Sequence, residues 1–261
     1  MRASAVDILG IGAQRAMTSW LHAVLSRHPR VWAFPDMQPL TSTNKEAHYW
    51  DWNRHRGPAW YRVVTRPLDD TQLSLDITPE YAFLDADQIA ECKALSPTAR
   101  VIYLLRDPLA RAVSAIRMHA TWASNNADPK DYAITFGPRF QEFCRSARLI
   151  EHAAYVRNIL RWRAAYPDLL ILSVEEIQRD PDAALDRLFG HIGLDLANLD
   201  DGTQARIRAR ARDVIWRTRP YSLDADCLNF LDGLTRPDRD AVADAFGLHF
   251  GEGDRLREAL L

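Results

Sequence analysis

Short apolar runs alternate with helical repeats along most of the chain. The apolar runs predict strands at residues 6–12, 72–77, 100–105 and 168–173, with a short extended piece at 43–47. Apolar residues at helical spacing predict helices at residues 18–28, 58–65, 85–95, 107–123, 138–165 and 181–192. Residues 196–261 carry Gly, Pro and Asp around short helical runs. The alternation is typical of an α/β fold with a mostly parallel central sheet flanked by helices.

One predicted strand ends in a cation. Arg106 follows the apolar run at 101–105, and Pro108 suits the first turn of the next helix. Arg111 and Ser114 lie off the apolar stripe of that helix, so we expect them to meet Arg106 at the carboxyl edge of the sheet. Two guanidinium groups and a hydroxyl suit a phosphate dianion. The alternative is an Arg-Asp salt bridge that caps an ordinary helix.

A second phosphate-binding candidate lies near the amino terminus. The predicted strand at 6–12 runs into a loop and a helix, and this element carries Arg15, Thr18 and Ser19. Backbone N–H groups at a helix start hold an anion, a basic side chain neutralises it, and hydroxyls add hydrogen bonds. The nucleotide-triphosphate P-loop is excluded, because no Gly-Lys-Ser/Thr follows the required spacer.

Together these segments resemble the sulfotransferases that use 3′-phosphoadenosine 5′-phosphosulfate (PAPS), in their bacterial and glycosaminoglycan-type branch. Residues 15–19 resemble the 5′-phosphosulfate loop Lys/Arg-x-Gly-Thr-Thr/Ser, and residues 106–114 resemble the 3′-phosphate motif Arg-Asp/Asn-Pro-x-x-Arg-x-x-Ser. Residues 45–50 (Lys-Glu-Ala-His-Tyr-Trp) and 75–81 (Leu-Asp-Ile-Thr-Pro-Glu-Tyr) resemble two further segments. The resemblance covers most of residues 6–195 and implies a single P-loop-like, three-layer domain over residues 1–261.

The resemblance also implies a reaction. A sulfuryl group passes from PAPS to a hydroxyl or amine of a small-molecule or carbohydrate acceptor, 3′-phosphoadenosine 5′-phosphate (PAP) is released, and no metal is required. Glu46 is the expected general base, with His48 as the rival because its ordinary pKa of about 6.5 lies nearer neutrality. Lys45 and Arg15 are expected to stabilise the sulfuryl group and the bridging oxygen.

The resemblance assigns donor-binding residues as well. The 5′ end is expected to contact Arg15, Ala16, Met17, Thr18, Ser19 and Trp20, and the 3′-phosphate is expected to contact Arg106 and Ser114. Arg219 lies in residues 216–220, where the family often has a basic loop over the donor. Trp20 has two candidate roles, stacking on adenine or filling the core.

Met17 departs from the family pattern, because it stands where the family has Gly. Glycine lets the backbone approach a phosphate or adopt a conformation that other residues resist. Two interpretations remain open: the chain is helical at Met17 and tolerates a side chain, or affinity for the donor is reduced.

The acceptor region is expected near the candidate base. Aromatic residues interleaved with cations follow it in residues 49–61: Tyr49, Trp50, Trp52, Arg54, His55, Arg56, Trp60 and Tyr61. Aromatic side chains of this kind suit sugars and phenols alike. Residues 124–137 form a long predicted loop, a feature often used as a lid or binding segment. We expect both segments to line an acceptor pocket.

Composition narrows the class of protein. The 261 residues are 47% hydrophobic and 26% charged with a formal net charge of −2, which argues against a nucleic-acid partner. No apolar run approaches the length of a membrane span, and the segment before the first strand is too short for a signal peptide, so a cytoplasmic location is expected. Cys92, Cys144 and Cys227 are expected to be reduced thiols in helices.

Arginine supplies nearly all of the positive charge. Of 33 basic residues only Lys45, Lys93 and Lys130 are lysines, which favours a specific role for Lys45. Arg206, Arg208, Arg210 and Arg212 are expected to form a solvated helix face in preference to an acidic-substrate patch.

Two other functions compete with sulfuryl transfer. One is a nucleotide-binding module that senses PAP without turnover, and the other is a P-loop-like small-molecule kinase. The kinase is disfavoured by the missing Gly-Lys-Ser/Thr and by the lack of an obvious metal-binding carboxylate after the strand at 100–105, since Asp107 is expected to pair with Arg106.

Overall fold

Five parallel strands form the sheet, in the spatial order β2-β3-β1-β4-β5. They are β1 (Ile8–Gly10), β2 (Val31–Trp32), β3 (Leu73–Ile77), β4 (Arg100–Leu105) and β5 (Leu170–Ser173) in a computed structural model that describes residues 2–38, 41, 43–213 and 218–250. Gly10 pairs with Ile77 on one side and with Ile102 on the other. The carboxyl ends of β1 and β3 therefore lie side by side, and the segments that follow them meet there.

The helices are α1 (Thr18–Leu25), α2 (Gly57–Val64), α3 (Ala86–Leu95), α4 (Pro108–Ala123), α5 (Pro138–Ser146), α6 (Leu149–Ala153), α7 (Tyr155–Ala165), α8 (Val174–Arg179), α9 (Pro181–His191), α10 (Asp201–Ala211) and α11 (Ala225–Phe246). A π-helical turn spans Tyr49–Asn53, and 3-10 turns span Arg54–Arg56, Pro79–Phe83 and Leu196–Asn198. Side-chain caps explain several starts: Asp85, Asp107, Ser173 and Asp224 each accept a hydrogen bond from the first turn that follows.

The contacts divide the chain into two compact units. Unit 1 comprises residues 1–105 and 158–215, and unit 2 comprises residues 106–157 and 216–261. Unit 1 holds the sheet, with α8 and α9 packed against β5 and α10 packed against α1 and α9. In unit 2, α4 packs against α5, α6 and α11 around a core that includes Val113, Phe140 and Leu231. The single domain expected over residues 1–261 stays a prediction.

The predicted α/β fold is confirmed, and several element boundaries are wrong. The strand predicted at 6–12 is shorter, β2 was missed, and the helix predicted at 18–28 ends at Leu25. The helix predicted at 138–165 is three helices, because Arg148 takes a left-handed conformation (φ 45°) and α6 ends at Ala153. The short helical runs expected in residues 196–261 include one long helix, since α11 runs for 22 residues with Pro237 inside it.

The extended piece predicted at 43–47 is a turn. An isolated antiparallel bridge joins Thr43 and Glu46, and the backbone N–H of Ile77 donates to the carbonyl of Lys45 at 2.7 Å. The segment is thus held by a hydrogen bond from β3 and by one isolated bridge, and it does not form a strand.

The three cysteines are free and lie in helices α3, α5 and α11, as predicted. Burial raises the pKa of the Cys92 thiol to about 12 and that of the Cys144 thiol to about 11. Neither thiol is therefore a reactive thiolate near neutral pH. Among the described helices, none is both long and apolar enough to cross a membrane.

Candidate active site

The loop between β1 and α1 holds the first group of predicted site residues. Arg15 (φ 67°) and Met17 (φ 64°, ψ 26°) are both left-handed, and Met17 stands immediately before α1 without a side-chain cap. Thr18 is buried and Ser19 is half-buried at the start of the helix. Gly12 permits a close approach, because a Cβ there would lie 2.7 Å from the carbonyl oxygen of Pro79. The loop therefore packs against the turn that follows β3.

The conformation of Met17 excludes one of its two interpretations, and reduced affinity for the donor stays a prediction. The chain is not helical there, so that interpretation is wrong. Met17 occupies the left-handed region that favours glycine, at a steric cost of roughly 1–2 kcal/mol for a residue with a side chain. The backbone thus takes a glycine-like conformation although the residue is methionine.

An array of paired charges lies at the carboxyl end of β3. The Lys45 ammonium donates to Glu46 Oε1, and His48 Nε2 lies 3.6 Å from Glu46 Oε2. The other ring nitrogen, His48 Nδ1, lies 2.8 Å from Asp51 Oδ2. Lys45 and His48 are buried, and Glu46 and Asp51 are half-buried. A bend brings these neighbours together, because the segment is a turn and His48 is left-handed (φ 49°).

These contacts set the protonation states. Burial works to raise the pKa of Glu46, but the charge of Lys45 and a hydrogen bond from His48 outweigh it and hold that pKa at about 2. Burial works to lower the pKa of His48, but hydrogen bonds to Asp51 and Glu46 outweigh it and raise that pKa to about 9. At neutral pH the array therefore alternates in charge, with Lys45 on Glu46 and His48 between Glu46 and Asp51.

A buried carboxylate of β3 holds this segment in place. Asp76 Oδ1 accepts from the Ala47 N–H (3.1 Å) and the Thr78 hydroxyl (2.7 Å). Asp76 Oδ2 accepts from the Tyr61 and Tyr81 hydroxyls at 2.8 and 2.9 Å. The Tyr81 oxygen in turn accepts from the backbone N–H of residue 49 at 2.7 Å. Asp76 therefore joins three separate segments of the chain and sets the course of residues 45–49.

Glu80 links the charged array to the loop between β1 and α1. Gln14 Nε2 donates to Glu80 Oε1 at 3.4 Å. Burial raises the pKa of Glu80, while the nearby His48 charge works to lower it. On the α1 side, burial and the charge of Lys45 lower the pKa of His22 to about 4, so His22 is neutral near pH 7. The array and the loop thus form one continuous polar region within unit 1.

One group in the described residues has the composition of a metal site. Ligand atoms of His48, Asp51 and Glu80 lie within 4.8 Å of one another. Both His48 ring nitrogens lie close to carboxylates, Nδ1 to Asp51 and Nε2 to Glu46. The absence of a required metal stays a prediction.

Several rings of the aromatic segment lie in the core, and its role in an acceptor pocket stays a prediction. Tyr49, Trp50 and Tyr61 are buried and pack on one another, with the Tyr49 and Tyr61 rings stacked at 4.5 Å between centroids. Trp52 is the exception, since its side chain is exposed and lies flat on the His48 ring. The alternation of aromatic and cationic residues in the sequence gave no sign of which rings face inward.

Trp20 has the surroundings expected of a core residue. Its side chain is buried, and its indole N–H donates to the carbonyl of Ala211 at 2.9 Å. These contacts fit the packing alternative, and stacking on adenine stays a prediction.

The segment after β4 begins α4 in unit 2. Asp107 caps the helix by accepting from the Ala110 N–H at 2.9 Å, and it also accepts from Arg239 Nε at 2.9 Å. Arg106 is half-buried, and its carbonyl accepts from the Tyr155 hydroxyl. The helix-capping part of the alternative interpretation is therefore correct.

Arg111 and Ser114 lie inside unit 2, and their predicted convergence with Arg106 at the sheet edge stays a prediction. Both are buried, because α4 is covered on nearly all sides through its first half. The Arg111 guanidinium donates to the carbonyl of Leu149 at 3.0 Å. Its contact with a phosphate, like that of Ser114, stays a prediction.

The long loop at 124–137 is fastened to the chain before α11. Ile134 bridges to Leu223, and the Phe136 N–H donates to Asp224 at 2.8 Å. Its role as a lid stays a prediction. Arg219 is exposed nearby in the chain, whereas Trp216 and Arg217 of the same predicted basic loop lie outside the described residues.

Comparison with known proteins decides the family. The model of the sulfotransferase domain family matches residues 6–211. The chain belongs to the sulfotransferase domain family.

Relatives and solved structures agree with this assignment. Heparan sulfate glucosamine 3-O-sulfotransferase 3A1 of Mus musculus is 27% identical over 187 residues, covering 70% of this chain and 44% of the relative. Bifunctional heparan sulfate N-deacetylase/N-sulfotransferase 2 of Homo sapiens is 24% identical over 199 residues, covering 70% of this chain and 21% of the relative. The chain thus spans less than half the length of these two curated relatives.

The fold similarity extends further. A sulfotransferase from Alicyclobacillus acidocaldarius superposes with a TM-score of 0.63 at 16% identity, covering 93% of this chain and 96% of that one. Mouse sulfotransferase SULT7A1, solved in complex with PAP, gives a TM-score of 0.53 at 16% identity, covering 99% and 90%. The predicted P-loop-like α/β fold is confirmed by these similarities.

Two residues of this candidate site lie outside the sequence-based predictions. Asp51 lies three residues after His48 and contacts its ring. Residues three apart face each other on a helical turn, so this spacing was a usable signal. Asp76 was noted only as part of a family segment, although an acidic residue inside an otherwise apolar strand is itself a signal, because a buried carboxylate requires partners.

The arginine run on α10 behaves as expected. Arg208 and Arg212 both pair with Asp182 of α9, and Arg210 pairs with Asp213. These are partly exposed ion pairs of a surface helix face, in agreement with the prediction.

Proposed function

We propose that this chain transfers a sulfuryl group from PAPS to a hydroxyl or amine of a carbohydrate or small-molecule acceptor and releases PAP. The observation that carries the proposal is the array of Lys45, Glu46 and His48, joined through Glu80 to the loop between β1 and α1. A base and fixed cations beside an anion-binding loop are what sulfuryl transfer requires. Membership of the sulfotransferase domain family supports the same reaction.

Glu46 is the base that the electrostatics favour. Its pKa of about 2 keeps it ionised, whereas His48, with a pKa of about 9, already holds its proton at neutral pH. Glu46 therefore accepts the proton of the attacking hydroxyl or amine. Its low pKa makes it a weak base in the resting array, and the charge of Lys45 is a main cause. An anion that draws Lys45 away raises the pKa of Glu46 and makes it a stronger base.

The cations have a second task. Lys45 and Arg15 stabilise negative charge on the sulfuryl oxygens and on the bridging oxygen of the leaving phosphate. His48, held between Glu46 and Asp51, orients the Glu46 carboxylate and adds positive charge beside it. All three act through charge that is already in place, which avoids reorganisation during the reaction.

The donor is held by residues that fit its two phosphate ends. The half-buried Arg15, the left-handed Met17 and the start of α1, with Ala16, Thr18, Ser19 and Trp20 in the same segment, suit the 5′ end. Arg106 and Ser114 suit the 3′-phosphate, and Arg219 adds charge. PAPS, when bound, supplies the sulfuryl group and a leaving group that needs no metal.

The acceptor class follows from the relatives. Those with matching sequence are named for heparan sulfate glucosamine 3-O-sulfation and for N-sulfation, so both a hydroxyl and an amine of a carbohydrate are candidates here. We infer a carbohydrate acceptor as the first choice, with small molecules as the second. A cytoplasmic location remains part of this proposal.

Calorimetry with a nucleotide panel tests the donor assignment. We expect PAP to bind in the presence of EDTA, AMP to bind more weakly, and ATP to gain nothing from magnesium. Equal affinity for AMP and PAP would contradict the 3′-phosphate assignment, and magnesium-dependent ATP binding would favour a kinase. PAP binding without any sulfate transfer to a broad acceptor panel would favour a non-catalytic sensor.

A further inference from the structure

We propose that the outer face of Trp52 binds a pyranose ring of the acceptor that neighbours the sugar reacting at Glu46. The inference rests on the proposed function and adds a subsite that selects acceptors. It begins from a feature that the reaction itself does not use, a large aromatic side chain left exposed at the edge of the charged array.

The inner face of Trp52 is occupied. Its ring stacks on the His48 imidazole with 3.6 Å between centroids and an angle of 2° between planes. His48 is protonated at neutral pH, so the stack is also a cation–π contact, which holds the indole flat against the array. One of the two faces of the indole is thereby fixed on a residue that contacts Glu46.

The outer face is open. Trp52 is 59% exposed, whereas Tyr49 and Trp50 of the same π-helical turn are buried. An aromatic side chain that sends one face to the protein and the other to solvent is a ready platform for a flat ring. Its position is well defined, because its backbone N–H donates to the carbonyl of His48 at 3.0 Å and its carbonyl contacts His55 Nδ1 at 3.1 Å.

The surroundings favour a sugar over a phenol. A phenol is best bound in an enclosed apolar pocket, whereas a pyranose places its C–H face on an aromatic ring and keeps its hydroxyls in water. Trp52 offers an open platform, and exposed Arg54, which pairs with Glu91, and Arg56 lie two and four residues further along the chain. Those cations suit a saccharide that carries carboxylate or sulfate groups.

The platform also lies at the correct end of the array. His48 contacts Trp52 through its ring face and approaches Glu46 through Nε2. A ring stacked on the outer face of Trp52 is therefore separated from Glu46 by the indole and the His48 imidazole, so it belongs to a sugar next to the reacting one. Trp52 acts as a positioning residue for the acceptor and leaves donor binding to other residues.

The test compares two acceptors on three variants. The probes are a heparan sulfate-derived hexasaccharide and 4-nitrophenol, each titrated by calorimetry with PAP present and then used in sulfate-transfer assays. Trp52→Ala should weaken hexasaccharide binding and raise its KM by about fivefold or more, and Trp52→Phe should restore most of the loss. Binding of PAP should stay within about twofold, and the 4-nitrophenol KM should change little.

Trp122→Ala is the matched control, because Trp122 is a similarly exposed tryptophan of unit 2 that packs edge-on against His119. It should leave both acceptors unaffected. The subsite is refuted if Trp52→Ala leaves the hexasaccharide KM unchanged, if both probes weaken equally, or if the wild type binds only the phenol. A wild type that binds PAP and transfers sulfate despite such a result keeps the proposed function, whereas failure to bind PAP refutes the function itself.

Discussion

Two charged segments of this chain, residues 45–51 and residues 106–114, are built in opposite ways. The first has almost no regular structure: it is a turn, a left-handed His48 and a π-helical turn, and its charges pair with one another. The second is the start of a capped helix in which Arg111 is buried on a backbone carbonyl. The first segment takes its shape from Asp76 on another element, whereas the second takes its shape from its own cap and proline.

The comparison shows where each segment is vulnerable. Local signals dominate at residues 106–114, so single side chains there can change without moving the backbone. At residues 45–51 the geometry depends on tertiary hydrogen bonds, so a change on β3 should disturb the array without touching it.

The largest effect is expected at the candidate base. Glu46→Gln should lower turnover by roughly 10²–10⁴-fold while PAP affinity is largely kept, because the amide preserves shape but cannot accept the proton. His48→Ala should lower turnover less. The measurement is a sulfate-transfer assay with PAP binding checked for each variant. Normal turnover in Glu46→Gln together with no turnover in His48→Ala would make His48 the base in place of Glu46.

The next largest effect is expected at Asp76. Asp76→Ala leaves two tyrosine hydroxyls, one threonine hydroxyl and one backbone N–H without their acceptor, which should lower the free energy of unfolding by roughly 3 kcal/mol or more. Tyr61→Phe removes only one donor and should cost about 1 kcal/mol. Urea unfolding provides both values. If Asp76→Ala costs no more than Tyr61→Phe, Asp76 does not organise the segment.

Arg106→Ala tests the other region. Loss of charge-assisted hydrogen bonds to the 3′-phosphate should weaken PAP binding by about 1.5–3 kcal/mol, with AMP affinity nearly unchanged. Arg187→Ala, which removes an exposed arginine paired with Glu176, is the control and should leave both affinities intact. Equal weakening for AMP and PAP would place Arg106 away from the 3′-phosphate.

The charge of His48 predicts a pH dependence of stability. Its pKa rises from an ordinary 6.5 to about 9 in the folded chain, so its stabilising contribution is fully present below pH 6.5 and is lost as pH rises through 9. The difference in unfolding free energy between the wild type and His48→Gln should therefore shrink between pH 6.5 and 9.5. A constant difference across that range would mean that His48 is not protonated in the array.

The smallest effect is expected at Met17. Met17→Gly removes the steric cost of holding a residue with a Cβ in the left-handed conformation, but it also gives the unfolded chain more freedom. The free energy of unfolding should therefore rise by no more than about 1 kcal/mol. PAP affinity should stay within about threefold, since the backbone conformation is already the one that favours glycine. Met17→Val, with a β-branched side chain, should destabilise. A large gain in PAP affinity for Met17→Gly would show that the methionine side chain obstructs the donor.

The same contrast explains what the sequence could and could not predict. The spacing of apolar residues and the capping signals predicted β4 and α4 almost residue by residue. Leu105 ends the strand, and Asp107 and Pro108 start the helix, through contacts with near neighbours in sequence. Family resemblance brought Lys45, Glu46 and His48 together, yet their segment was predicted as extended, since nothing local signals a turn held by Asp76. Nor could spacing show that Arg111 is buried, because α11 is distant in sequence and covers α4.

The most direct test of the central claim is transfer of radiolabelled sulfate from PAPS in the presence of EDTA. The purified chain is incubated with heparan sulfate-derived saccharides and small-molecule phenols and amines, and the products are separated from the donor. We predict a labelled acceptor with wild-type protein and at least a hundredfold less label with Glu46→Gln. No labelled acceptor from wild-type protein that binds PAP, or equal labelling by the two proteins, would contradict the account.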